Sequence, residues 1–423
     1  MRVGIAGAGI GGLTLALMLQ QRGIEAELWE SVRELKPLGV GINLLPHACK
    51  ELGELGLLPS LREIAIETGS LSYHNKFGQL IWREPRGLSA GYPWPQLSIH
   101  RGELQLLLLW RVQHVLGKDA VNCDHAAEAF EQRGETVAVS LRRRDGTPVL
   151  REVDVLVGAD GIHSALRKQL YAERDPLQYS GRVLWRGATE CDPFLDGRSM
   201  IMAGHPDQKF VAYPISEAAR RRGRSLVNWI AELRQPGQIS NDWNRRVDKS
   251  RFAEAFSGWR WGWLDAPALI DATEHIYEFP LVDKDPLPRW SFGRVTLLGD
   301  AAHPLYPVGS NGSAQAILDA RCLADSLASM SDATYALREY EAERLPKTAG
   351  IVLRNRLNGP EQVMQLAEER APHGFGEIEQ VISRAELEGI ALRYKRLAGF
   401  DLEALRAMPT GLFPPASGEG GRA

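Results

Sequence analysis

Cysteine is scarce in this chain. Four occur in 423 residues, Cys49, Cys123, Cys191 and Cys322, without a C-x-x-C pair. Such spacing excludes a zinc ribbon and a disulfide-framed fold, and it fits free thiols in a reducing compartment. No uninterrupted apolar run is long enough to cross a bilayer, so no stable membrane association is expected and the cytoplasm is favoured. The apolar stretch at the start has only Arg2 ahead of it and is broken by glycines, which reads as a folded strand and helix, not a secretion leader. Neither sign of charge dominates. Fifty Lys and Arg against 53 Asp and Glu leave a net charge of −3, which removes any general affinity for nucleic acid. Arg142-Arg143-Arg144 sits before an Asp145-Gly146 turn and reads as a solvated hairpin end. His, Cys, Asp and Glu nowhere gather at metal-ligand spacing, so no metal is expected.

What is present begins at once. The apolar run Val3 to Ala6 leads into Gly7-Ala8-Gly9-Ile10-Gly11-Gly12 and then Leu13 to Leu19, a strand, a glycine turn and a helix. In that context Gly7 permits the tight turn, Gly9 lets a pyrophosphate approach the backbone, and Gly12 lets helix and strand pack closely. The helix start adds free amides and positive dipole. A second apolar run ends at Glu30, whose carboxylate can accept from adenosine ribose hydroxyls and would repel a 2′-phosphate. An unphosphorylated adenosine dinucleotide, FAD or NAD, follows as the expected ligand.

Further along, helical spacing covers Leu52 to Leu61, Leu104 to Val115, Ala314 to Leu327, Tyr335 to Leu345 and Glu377 to Leu397. A buried strand Val153 to Val157 ends at Gly158-Ala159-Asp160-Gly161, and another, Arg294 to Leu298, ends at Gly299-Asp300. Between them, short β-rich stretches at Arg182 to Trp185, Lys209 to Pro214 and Leu226 to Ile230 suggest an antiparallel sheet covering the nucleotide domain. An open α/β fold gathers its functional groups at the carboxyl ends of strands, so the nucleotide domain is expected to be discontinuous.

Three separated segments, the Gly7 to Gly12 turn, Asp154 to Arg167, and Gly299-Asp300-Ala301-Ala302-His303-Pro304, stand in the order that marks single-component flavoprotein aromatic hydroxylases. Through roughly Asn355 the chain resembles that family, within it the phenazine-modifying and salicylate-hydroxylase-like enzymes. The resemblance implies an α/β fold with a Rossmann-like FAD-binding domain, an inserted antiparallel β-sheet substrate domain and a helical C-terminal region. The corresponding segments are 1–180 for the first part of the FAD domain with insertions, 181–285 for the substrate-covering sheet, 286–355 for the return, 356–408 for C-terminal helices, and 409–423 for a mobile tail.

The same resemblance assigns residues. Asp300 goes to the FAD ribityl chain, while Asp160 and Gly161 go to FAD and to transient use of the nicotinamide. Arg101, within Ser98-Ile99-His100-Arg101-Gly102-Glu103-Leu104, becomes a cofactor contact through its planar fork. Gly41, within Gly39-Val40-Gly41-Ile42-Asn43, gives close approach beside the flavin. In the loop Tyr306 to Gly312, Pro307 lies near substrate and Gly309, Asn311 and Gly312 approach the flavin, whereas Ser310 replaces the family's frequent glutamine. Candidate pocket residues are Leu44, Pro46, Trp185, Tyr213, Tyr306 and Pro307. The Trp259, Trp261 and Trp263 cluster is expected to pack the sheet domain, and His303 is given no acid/base role.

The implied reaction is FAD-dependent hydroxylation of an aromatic, fused-ring or carboxylated substrate, with NADH or NADPH as transient reductant and molecular oxygen delivered through a flavin C4a-hydroperoxide. No side chain is singled out as catalytic. The competing reading is an FAD oxidase or dehydrogenase without oxygen insertion, and a more distant one a nonenzymatic flavin-binding regulator. The exact substrate, its regiochemistry, and a homodimeric state are left open.

Overall fold

The computed structural model describes residues 1–37, 39–171, 175–237 and 245–407; the expected tail at 409–423 lies outside the described residues. At its centre, five parallel strands run in the order Val295–Leu297, Val155–Gly158, Arg2–Ala6, Glu25–Glu30, Val121–Cys123. The central strand carries Val3 and Ile5 with no exposed surface, as expected of a strand covered on both faces. Helix Ile10–Gln21 is apolar almost all round because Ile10 through Leu19 are all buried, between the sheet and the helices Arg101–Leu116 and Gly312–Ser329. The connection from Val121–Cys123 to Val155–Gly158 is a three-stranded meander, Ala126–Arg133, Thr136–Arg142 and Pro148–Val153. Its Asp145-Gly146 turn carries Gly146 at φ 89°, and Arg142 pairs with Glu128 at the exposed end, as the sequence suggested.

A mixed sheet of eight strands covers this domain, in the order Arg245–Arg246, Tyr277–Lys284, Leu177–Cys191, Ser225–Arg234, Gln208–Pro214, Ser199–His205, Ser70–His74, Leu80–Pro85. Two strands therefore come from 70–85, far outside the expected 181–285 segment, and Ser70–His74 pairs parallel with Ser199–His205. A hairpin inside the first nucleotide segment carries no local sign of which sheet will adopt it. One face of this sheet buries Phe210, Trp229, Phe252 and Phe256, with Trp259, Trp261 and Trp263 packed along it.

Three helix expectations change. The Leu52 to Leu61 pattern is two helices, Pro46–Glu54 and Leu58–Ile64, separated where Gly56 takes φ 74°. The helix expected at Tyr335 to Leu345 runs from Ala333 to Arg356 straight through Pro346. Burial of Tyr340, Arg344, Ile351 and Val352 against neighbouring helices outweighs the lost hydrogen bond. The helix expected from Glu377 starts only at Arg384, where the Ser383 side chain caps Glu386 N.

Under the C-terminal segment, His47 is 1% exposed, stacks on Phe400 at 5.4 Å, and has no hydrogen-bond partner for either ring nitrogen among the described residues. Burial, reinforced by Arg344, lowers its pKa to about 3 from 6.5. Because the folded form resists the proton that the unfolded chain accepts, stability is full above pH 6.5 and falls as pH drops toward 3. The loss is about 1.4 kcal/mol per pH unit in that window. Urea titrations at pH 6.5 and near pH 5 should show a drop of about 2 kcal/mol that His47→Leu largely abolishes; an equal acid drop in both proteins rejects the assignment.

Candidate functional site

The glycine turn leaves the end of strand Arg2–Ala6 with Gly7 at φ 106°, where a Cβ would sit 2.3 Å from Ala159 O. A Cβ on Gly12 would lie 2.1 Å from Gly7 O. Gly9 differs from both. Its backbone is ordinary extended chain, φ −73° and ψ −178°, and a Cβ there would meet no protein atom within 4 Å. Conformation does not demand glycine at this position; only a group approaching from outside the chain does. Glu30, at the end of the adjacent strand, accepts from Ala8 N at 3.0 Å and Val32 N at 3.1 Å, which places its carboxylate against the turn.

Two more strand ends converge beside it. Past Val155–Gly158, Asp160 accepts from Ala165 N at 2.8 Å while its buried Oδ1 has no partner among the described residues. Burial pushes that carboxyl above its ordinary range. Arg167 is fully buried and forks onto Asp175 at 2.6 and 2.7 Å. Its remaining nitrogen donates to Ala301 O and Ala302 O at 3.1 and 2.9 Å, tying the middle segment to the late one. Past Val295–Leu297, Asp300 opens onto the cleft and makes no hydrogen bond or ion pair within the chain among the described residues. The protein walls around it push its carboxyl up. His303 does not face the cleft; it bonds Asp319 at 2.5 Å, and Asp319 pairs with Arg344 at 2.7 Å. Burial alone would raise the Asp319 carboxyl, but His303 and Arg344 beside it outweigh burial and hold it low. Asp319 also accepts from Gly299 N at 3.1 Å, so this triad is a buttress under the Asp300 turn.

The loop Tyr306 to Gly312 is clamped from behind. Asn355 donates to Tyr306 O and Val308 O at 3.1 Å each, and the Asn311 side chain donates to Tyr394 Oη at 2.9 Å. Asn311 thus reaches the cleft beside a side chain committed to the clamp. Ser310 holds φ 58°, and Gly309, at φ 68°, has no room for a Cβ because Tyr394 Oη would be 2.2 Å away. Such backbone strain survives where surrounding contacts over-determine it. The loop feeds the N-terminus of helix Gly312–Ser329, whose first residues, Gly312 and Ser313, line the cleft at the positive end of the helix dipole.

Together these segments open into one cleft of about 320 Å³, at the lower end of the about 300–1,000 Å³ of a ligand pocket. Gly9, Gly41, Arg101, Gly161, Tyr213, Asp300, Tyr306, Pro307, Asn311 and Gly312 line it. Gly7, Gly12 and Glu30 build the turn behind it. Arg101 stands at the start of its helix with no ion pair among the described residues.

The far wall is the second face of the eight-stranded sheet, and side-chain alternation decides who faces the cleft. Leu184 and Arg186 do, so Trp185 cannot: it lies on the opposite face, stacked on Phe252 at 4.7 Å and donating to Glu278 at 2.9 Å. Leu44 is fully buried in the nucleotide-domain core, and Pro46 is the first residue of a helix beneath it; neither lines the cleft. These three pocket expectations are corrected. Residues missed in the sequence are Met200, Met202, Lys209, Val211, Ile230 and Glu232, together with Arg186 and Glu361. The signal for Lys209 and Val211 was available, because they alternate with the core residues Phe210 and Ala212. Tyr213 and Arg186 both donate to Gly41 O, at 2.9 and 2.8 Å. Burial pushes the Tyr213 phenol up to about 12, so it stays a donor at neutral pH.

Cβ-free positions lining open space at Gly9, Gly161 and Gly312, together with the Asp300 carboxylate and Arg101 guanidinium that find no ion-pair partner among the described residues, suit a flavin dinucleotide. Fold and cleft define a Rossmann-type dinucleotide-binding flavoprotein with a sheet closing over its strand ends. The chain belongs to the FAD binding domain family, whose model matches residues 1–355, and the expectation of FAD as cofactor is borne out. It is 46% identical over 359 residues to phenazine 1,6-dicarboxylic acid hydroxylase PhzS of Lysobacter antibioticus, covering 83% of this chain and 88% of that one. It is 35% identical over 367 residues to 3-amino-4-hydroxybenzoate 2-monooxygenase PtnB3 of Streptomyces platensis, covering 85% and 88%. Among solved structures, Klebsiella pneumoniae HpxO complexed with FAD and uric acid matches with a TM-score of 0.73 at 25% identity, over 97% of this chain and 98% of that one.

Proposed function

We propose that this protein is an FAD-dependent monooxygenase that takes electrons from NADH or NADPH and places one atom of molecular oxygen on a planar, carboxylated aromatic ring. The observation that carries the reading is the cleft itself: a glycine cradle and three strand ends on one side, and on the other a sheet face whose apolar side chains are interrupted by Arg186, Lys209 and Glu232. Bound FAD supplies electron transfer and oxygen activation. The chain's part is binding and exclusion. Glu30 takes the adenosine ribose, the amides behind Gly9 take the pyrophosphate, and Asp300 and Arg101 take the ribityl and phosphate oxygens, while Asp160 and Gly161 edge the same surface. Met200, Met202, Val211, Ile230 and Leu281 keep water off the reacting edge, and Tyr306 and Pro307 limit how the substrate lies. Arg186, without a carboxylate partner among the described residues, is the cation beside which an electron-rich edge settles.

The chain is proposed to work in the cytoplasm; no helix among the described residues is long and apolar enough to cross a membrane, and the four cysteines are free. An oxidase or dehydrogenase would use the same cradle without inserting oxygen. Turnover of aromatic acids under labelled dioxygen separates the two. One labelled atom per product, with nicotinamide oxidation accelerated at least about tenfold by the aromatic ligand, is expected; a turned-over product without label rejects the monooxygenase reading.

A further inference from the structure

One group in the cleft has no part in holding FAD. Lys209 and Glu232 are direct cross-strand partners on the cleft face of the sheet, and Lys209 Nζ lies 2.8 Å from Glu232 Oε2. The same ammonium lies 2.6 Å from Glu361 Oε2. All three residues are at least nine-tenths buried. Glu361 comes from the segment after residue 355, beyond the family match, and is delivered by a tight turn in which Asn358 and Gly359 take φ 66° and 48°. Its second oxygen, Oε1, has no hydrogen-bond partner among the described residues, although the residue lines the cleft. Glu232 Oε1 lies 3.7 Å from Arg182 and accepts no hydrogen bond among the described residues. Around the triad the wall is apolar, made by Met200, Met202 and Val211.

A structural tie between sheet and C-terminal segment would need only the ion pairs. It would not need the second Glu361 oxygen to be left free on the cleft wall, open to a donor carried by a ligand. Arg186 lies on the same face, one inward-facing position along its strand from Leu184, the cross-strand partner of Glu232, and Arg101 also lines the cleft. A flat ligand therefore meets cations and a free acceptor at separate points of the wall, and their placement sets which edge of the ring settles where.

We propose that Glu361, positioned by Lys209 and Glu232, is a specificity-determining acceptor that takes an N–H donor or cationic ring nitrogen of the aromatic substrate and turns its carboxylate edge toward Arg186. The assignment rests on the aromatic-hydroxylase reading and deepens it. Burial and the neighbouring Glu232 push the Glu361 carboxyl up while Lys209 pulls it down, so a cationic ligand edge would favour its ionised form.

The test uses the full-length FAD-loaded protein and two ligands that differ at one ring position, N-methylquinolinium-2-carboxylate and naphthalene-2-carboxylate, with binding read from the flavin absorbance. The unmodified protein is expected to bind the cationic ligand at least tenfold more tightly. Glu361→Gln should erase that preference and leave naphthalene-2-carboxylate within twofold; Glu361→Asp should keep part of it. A Glu361→Gln variant that weakens both ligands equally assigns the triad a structural role and overturns the proposal. Absence of any preference in the unmodified protein overturns it without recourse to a variant. If neither ligand, nor any other aromatic acid, perturbs the flavin or accelerates nicotinamide oxidation, the hydroxylase reading itself fails and this assignment falls with it.

Discussion

Replacing Asp300 with Ala is expected to strip the protein of FAD while leaving the cofactor-free fold intact. Asp300 makes no hydrogen bond or ion pair to the rest of the described chain, so the apo protein loses no contact with it. The bound cofactor, in contrast, would lose one or two charge-assisted hydrogen bonds, each worth about 1.5–3 kcal/mol, or roughly 10- to 100-fold in dissociation constant. Flavin retention measured by equilibrium dialysis, beside thermal unfolding of the apo protein, checks this. Equal FAD affinity in the two proteins removes the ribityl role, and a collapse of apo stability would reassign Asp300 to the buttress formed by His303, Asp319 and Arg344.

Gly12→Ala and Gly9→Ala are expected to fail in opposite ways. At Gly12 the added methyl would lie 2.1 Å from Gly7 O and 3.3 Å from Ile5 Cγ2, so helix and strand must separate. Overpacking of that kind costs about 1–3 kcal/mol, and apo stability and cofactor binding should both fall. At Gly9 the methyl meets nothing in the protein, and the backbone suits any residue. Apo unfolding should be unchanged or slightly improved, because alanine lowers the entropy of the unfolded chain. Flavin affinity should still drop at least about tenfold, since the methyl stands where the pyrophosphate must approach. Should Gly9→Ala bind FAD normally, the cradle does not hold the pyrophosphate.

The nucleotide half of the site was legible in advance because its signals are local. Gly7, Gly9 and Gly12 sit within one turn, and the segments ending at Gly161 and Asp300 announce themselves as strand, glycine and helix start. The substrate half was not. Trp185 and Tyr213 are both aromatic residues in the same sheet, one strand apart, yet only Tyr213 faces the cleft. Pro346 shows the same limit for helices, since a residue that locally argues for a stop is carried through by burial of Tyr340, Ile351 and Val352 on either side.

The amino-acid sequence alone determined that an adenosine dinucleotide is held, because backbone conformation around glycines is dictated by residues next to one another, and the order of three separated segments narrowed it to FAD by resemblance. Tertiary structure alone decided what the cofactor faces. Alternation along a strand says which side chains share a face but not which face meets the cleft, and only the closing of the chain on itself brings Glu361 to Lys209.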